Sequence, residues 1–225
     1  MKLLILGATG LVGGWTARKA LEHGHQLTLY VRDENRVPDG IKEKNVTIIQ
    51  GSVEDQASLS MAIQGQDAIL SSIGPSGWAD VPGQITRGYK LILDLMRQYN
   101  VRRILAMGTI STYDPQDKPS FYRSCLYWLI FLIARGAQKE MLGIERAFRE
   151  DGDDLDWTLC RVGLLGNSKE DGGVAEAGWV GDGAWSPLTE RRDWANWMVQ
   201  EVEKETPTWV REMPAIYTPK KRKTN

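Results

Sequence analysis

Residues 3–16 read LLILGATGLVGGWT, four aliphatic residues running into glycines at positions 7, 10 and 13. With Lys2, the run Leu3 to Leu6 has the unbroken apolar character of a parallel strand covered on both faces. A helix is expected from Leu11 to His23, with Val12, Trp15, Ala20 and Leu21 for its inner side and Gly24 ending it. Gln26 to Val31 (QLTLYV) then returns as a second strand. Parallel strands need such a crossover, and its hand is right.

The alternation continues along the chain. Strands are expected at Val46–Gln50, Asp67–Ser72, Arg103–Met107 and Asp156–Arg161, and a short last one at Ala215–Thr218. Helices are expected near 56–63, 85–99, 137–149 and 191–204. This predicts an α/β fold, a doubly wound and mainly parallel sheet with helices on both faces. At 225 residues, with no internal repeat or low-complexity linker, residues 1–225 are expected to form a single domain. The loops richest in Gly and Pro, 74–83 and 163–183, are expected at the carboxyl ends of strands, where such sheets bind ligands.

Within a strand-turn-helix frame the glycines acquire a chemical meaning. Free N–H groups and the positive end of the helix dipole suit a pyrophosphate, which side chains would keep away. Gly7 is read as the turn, Gly10 as the point of close approach and Gly13 as the contact between helix and strand; Thr9, Leu11 and Val12 belong to the same cradle. The spacing is GxxGxxG, and the frame rather than the glycines alone identifies a dinucleotide site. After the second strand come Arg32, Asp33 and Arg36. An acid there would bind the ribose hydroxyl of NAD, whereas arginine accommodates the 2′-phosphate of NADP; Arg32 favours NADP(H).

Other features narrow the class. Lysine and arginine total 28 against 29 acids, which leaves no electrostatic footprint for nucleic acid or an anionic membrane as a main partner. Cys125 and Cys160 lack CxxC or Cys/His spacing, so a disulfide framework and a metal centre are not expected, and both read as buried thiols. The N-terminal apolar run is too short for a signal-peptide core, so a cytoplasmic protein is expected, with the sequon at Asn45 silent. The stretch 125–134, CLYWLIFLIA, is about half the ~20 residues needed to cross a bilayer and is read as a buried helix, with a dimer face or a substrate wall as alternatives.

Taken together, GATGLVG, the VRD turn, GSVED at 51–55, SSIG at 71–74, LDWTLCRVG at 155–163 and TERRDWANWM at 189–198 resemble the NmrA-like branch of the atypical short-chain dehydrogenases, over nearly the whole chain. The resemblance implies a Rossmann-type NAD(P)-binding sheet with a small C-terminal substrate-binding part. It implies that Val53 and Asp55 flank the adenine, and that Ser71, Ser72, Ile73 and Gly74 border the nicotinamide side. From the residues alone, Asp55 could equally cap a helix.

Short-chain dehydrogenases usually protonate their substrate through a tyrosine with a lysine one helical turn on. Tyr113, Tyr122 and Tyr127 are followed four residues later by Asp117, Leu126 and Phe131, and the match Tyr217/Lys221 spans Pro219, where no helix would align the pair. Thr109, Ser111 and Tyr113 fall where relatives carry the serine, and Lys139 falls roughly where the lysine is expected, one turn after Arg135 rather than a tyrosine. Trp78, Tyr122, Tyr127, Trp128 and Trp179 could wall an apolar substrate cavity built from 74–83, 113–137 and 163–188. The leading reading is an NADP(H)-dependent oxidoreductase of a hydrophobic or aromatic small molecule, monomer or homodimer, of the kind that serves secondary metabolism. Two alternatives stay open: an isomerase or cyclase with a structural NADP, and an NmrA-like redox-sensing regulator, for which the basic tail 219–223 would act in nuclear import.

Overall fold

The computed structural model describes residues 1–42, 44, 46–75, 82–167 and 173–219. Six strands follow the expected alternation: β1 (Lys2–Leu6), β2 (Gln26–Val31), β3 (Val46–Gln50), β4 (Ala68–Ser71), β5 (Arg103–Thr109) and β6 (Asp156–Val162). Between them lie α1 (Leu11–Glu22), α2 (Gln56–Ile63), α3 (Gln84–Gln98), α4 (Phe121–Ile133) and α5 (Arg135–Asp151). The short strands β7 (Leu164–Gly166), β8 (Glu176–Gly178) and β9 (Leu188–Glu190) precede α6 (Arg191–Val202) and β10 (Ala215–Tyr217).

One sheet has the order β3-β2-β1-β4-β5-β6-β10-β8, parallel throughout except for β8, which runs antiparallel to β10. The chain builds outward from β1 through β2 to β3, then returns and builds the other way from β4. The crevice between β1 and β4 is therefore the switch point at which such sheets take ligands. Strand alternation separates two cores. Leu3 and Ile5 face α1 and α6, whereas Leu4 and Leu6 face α2, α3 and α5. Burial of these aliphatics on both faces is why β1 lacks an alternating pattern.

The apolar stretch 125–134 corrects its favoured reading. It is helical, within α4, but no residue of α4 is buried. Phe121, Trp128, Leu129, Leu132 and Ile133 are all more than half exposed. The helix packs along α5 at the rim of the sheet, so apolar length alone did not place it in a core. Among the described residues no helix is long and apolar enough to cross a membrane.

Cys125 shares this exposure, contrary to expectation, whereas Cys160 on β6 is fully buried. Burial pushes the Cys160 thiol up to about 12, so it has almost no thiolate at neutral pH. Titration with an aromatic disulfide reagent should therefore modify one thiol per folded chain rapidly and the second only after denaturation. Two fast thiols would contradict the placement of Cys160.

Candidate functional site

Gly7 ends β1 with a φ of 85°, a left-handed conformation open to glycine, and turns the chain toward α1. Its carbonyl accepts from Gly10 N at 2.9 Å. No side chain caps α1, and its first turn carries no acid, which leaves the helix start ready for an anion. Gly13 backs this turn so closely that a Cβ there would lie 2.1 Å from the Gly7 carbonyl oxygen.

A cleft of about 250 Å³ opens over that turn. Gly7, Thr9 and Gly10 floor it, and Ser72, Ile73 and Gly74 continue it at the end of β4. Gly51, Ser52 and Val53 form its wall after β3, with Val31, Arg32 and Arg36 at the end of β2. Tyr30 braces that wall: its hydroxyl donates to Ser52 O at 2.7 Å and lies 2.6 Å from Ser58 Oγ. Burial raises the Tyr30 phenol above its ordinary range and keeps it neutral.

The charges at this end of the cleft are one-sided. Asp33 turns its carboxylate onto Asn35, accepting from the backbone N at 3.0 Å and from Nδ2 at 3.2 Å. Among the described residues, neither Arg32 nor Arg36 has an ion-pair partner, and both are exposed. Two guanidiniums with the nearby acid engaged elsewhere suit a phosphate better than a ribose hydroxyl.

A second cavity, of about 260 Å³, lies beyond the end of β5 and is lined by Ser111, Tyr113, Arg123, Ser124, Tyr127 and Trp128. The Ser111 hydroxyl sits 3.2 Å from Thr109 Oγ1. Arg123 lies over the Tyr113 ring, 5.1 Å from its centroid. Among the described residues its buried Nε has no hydrogen-bond partner, and its carboxylate neighbour Asp117, at 3.8 Å, is already paired bidentately with Arg161. Behind it the charges form a network, with Arg149 paired to Asp114 at 3.3 Å and to Glu145 at 3.1 Å.

A family model described as NAD(P)H-binding matches residues 7–205, a range that contains the glycine turn, the β2 end and both cavities. The chain belongs to this NAD(P)H-binding family. The match agrees with the resemblance carried by the glycine turn and the DWT and RRDWA segments. Among curated relatives, a phenylcoumaran benzylic ether reductase of Ginkgo biloba is 34% identical over 35% of this chain and 28% of its own length. Another, of Pinus taeda, is 31% identical over 52% of this chain and 35% of its own. The chain thus spans about a third of the length of the curated relatives it matches. A short-chain dehydrogenase/reductase of Veillonella parvula, solved in complex with NADP, shares the fold at a TM-score of 0.78 and 18% identity, covering 97% of this chain and 94% of that one. ChuY, an anaerobillin reductase of Escherichia coli, does so at 0.72 and 16% identity, covering 99% of both.

For this NAD(P)H-binding protein the sequence-derived residues separate into groups. Gly7, Thr9, Gly10, Arg32, Arg36, Val53, Ser72, Ile73 and Gly74 meet in the first cleft. Leu11 is exposed at the start of α1, and Val12 is buried in the core behind it, so only their backbone faces the turn. Asp55 caps α2, accepting from Ser58 N at 3.2 Å, and Ser71 is buried, 2.7 Å from the Tyr89 hydroxyl that in turn donates to Ile73 O at 3.0 Å. Those two support the cleft from behind.

Ser111, Tyr113, Tyr127 and Trp128 share the second cavity, with Thr109 behind Ser111. Lys139 does not join them: it is exposed and lines a different cavity, with Gly83, Thr86 and Arg135. Trp179 packs edge-on against Trp209 at 5.5 Å and lies under Arg161, and Tyr122 is 62% exposed. Trp78 and the basic tail from Lys220 lie outside the described residues. Sequence reading missed Tyr30 and Arg123. The first is seen only through a contact between strand ends, because a Cβ on Gly51 would meet the Tyr30 hydroxyl.

Proposed function

We propose that this chain is an NADPH-dependent reductase of a hydrophobic or aromatic small molecule. The observation that carries this reading is the second cavity, which sets ring-bearing side chains, a tethered hydroxyl and the Arg123 guanidinium at the end of β5, the strand next to the β4 edge of the first cleft. The plant reductases that the chain resembles bear names of aromatic substrates, which is consistent with that wall.

NADPH, when bound, supplies hydride. Arg32 and Arg36 would hold its 2′-phosphate, and the start of α1 its pyrophosphate. Tyr127 and Trp128 would stack or pack on the acceptor and exclude water from one side. Negative charge growing on the acceptor oxygen would be met by the Ser111 hydroxyl and the Arg123 guanidinium, groups already in place before reaction. The final proton would come from Ser111, Tyr113 or solvent, since Lys139 is not placed to assist a tyrosine.

The test is loss of reduced-nicotinamide absorbance when purified protein and NADPH are offered aromatic enones and quinones. Arg32→Ala should weaken NADPH by about 1–3 kcal/mol, roughly 5- to 150-fold, and leave NADH affinity within about twofold. Equal weakening of both would remove Arg32 from the phosphate. The missing tyrosine–lysine pair favours one other reading, a non-redox isomerase whose bound NADP shapes the cavity. A product of unchanged mass, formed without NADPH consumption, would establish that reading instead.

A further inference from the structure

The opposite end of α1, about 18 Å from the glycine turn by helix rise, carries a cluster that the cofactor reading leaves unused. His23 is the C-cap of α1, and Glu203 is the C-cap of α6. His23 Nδ1 lies 2.9 Å from Glu203 Oε1, and His25 Nε2 lies 2.9 Å from the same oxygen. One ligating atom from each residue falls within 4.8 Å of the others. The His25 side chain is 7% exposed, while His23 and Glu203 are each 31% exposed and open to water.

We infer that His23, His25 and Glu203 form a binding site for a divalent metal ion of the zinc class. Two imidazoles and a carboxylate are a donor set such ions take, with water completing the shell on the open side. Both helices end here, so the partial negative charge of two C-termini faces the same point and favours a cation. The ligands stand on α1, on the turn before β2 and on α6, elements already packed together, which limits the ordering that binding requires. Along the chain the cluster is hidden, because Glu203 is 180 residues from His23.

The experiment uses the untagged chain, stripped of metal with a chelator and titrated at about pH 8, because metal competes with protons for its ligands. Zinc chloride should bind with one equivalent per chain and raise Tm by about 5–10 °C at a free concentration 100-fold above its dissociation constant. Magnesium chloride, which prefers an octahedral oxygen shell, should not. Glu203→Gln keeps an acceptor for the imidazoles and should fold, yet weaken zinc by at least ~tenfold; His25→Gln should do the same. Cobalt(II) should give visible absorption that both variants lose. Cys125→Ser should change none of this, because that exposed thiol is the rival ligand. Failure to bind one equivalent of zinc, binding that survives both variants, or binding that vanishes with Cys125→Ser would each overturn the site. NADPH affinity should be the same in every variant, which keeps this outcome separate from that of the reductase reading.

Discussion

Gly13→Ala is expected to abolish measurable NADPH binding and to lower stability by about 3 kcal/mol or more, the upper range for overpacking, with a Tm loss of roughly 6–12 °C. The added Cβ would sit 2.1 Å from the Gly7 carbonyl oxygen, 2.6 Å from its carbon and 2.8 Å from Ser72 Oγ. Two of those atoms are backbone and cannot rotate away. Relief requires α1 to move off β1, which takes the helix start out of the cleft, or the Gly7 turn to open, which removes the anion cradle. Gly14→Ala is the control. Its Cβ would meet Pro38 Cγ at 3.4 Å, an ordinary contact, and alanine is the better helix former by up to ~1 kcal/mol. Thermal unfolding and cofactor titration on the two variants should therefore diverge sharply. A Gly13→Ala protein that melts and binds like the parent would show that the turn does not hold the phosphate.

What could be read beforehand was whatever a local pattern encodes. An apolar run such as Leu3–Leu6 marks a covered strand, and its alternation with helical segments gives a doubly wound, mainly parallel sheet, whereas the order β3-β2-β1-β4-β5-β6 is visible only in the structure. The three-residue strands β7, β8 and β9 were not anticipated, because so short a run has no period to detect. Position 125–134 failed for a different reason: an apolar run reports the composition of a helix, not which neighbours cover it, and α4 lies along α5 with no buried residue. Long-range pairing was equally hidden. Arg161 stood in a motif, but its partner Asp117 is 44 residues away and surfaced only as the residue that spoils a tyrosine–lysine spacing. Arg123 matters through that same pair, since only a structure shows that Asp117 is already neutralised. Conversely, the residues that meet in the first cleft were near one another in the pattern, because the glycine turn and the β2 end each sit within a few residues of an expected strand end.

Asp117→Ala should be the most damaging single change outside the cofactor cleft, costing about 3–5 kcal/mol, because it strands a buried cation. Both partners are fully buried, and Arg161 Nη1 and Nη2 donate to the carboxylate at 2.6 and 2.7 Å. The rest of the guanidinium is also engaged, by Met213 O at 2.5 Å and Thr112 O at 3.0 Å. Asp117 in turn accepts from Val180 N at 3.0 Å and from Asp114 N at 3.1 Å. The pair therefore ties the loop after β5, which carries Ser111 and Tyr113, to β6 and to the turn after β8. Urea unfolding should show a lower midpoint with an unchanged slope. Any reductase activity should fall further than stability accounts for, because Arg123 and the loop carrying Ser111 and Tyr113 lose their anchor, while NADPH affinity stays within a few-fold, since Asp117 does not line the first cleft. Arg161→Met should also destabilise, though less, since the buried carboxylate keeps only Arg123 at 3.8 Å and two backbone N–H groups. Combining it with Asp117→Leu should restore much of the stability, as apolar replacement of both members of a buried pair commonly does, without restoring activity. If either single variant unfolds within about 1 kcal/mol of the parent, water reaches the pair in solution and the second cavity is not held in the way described.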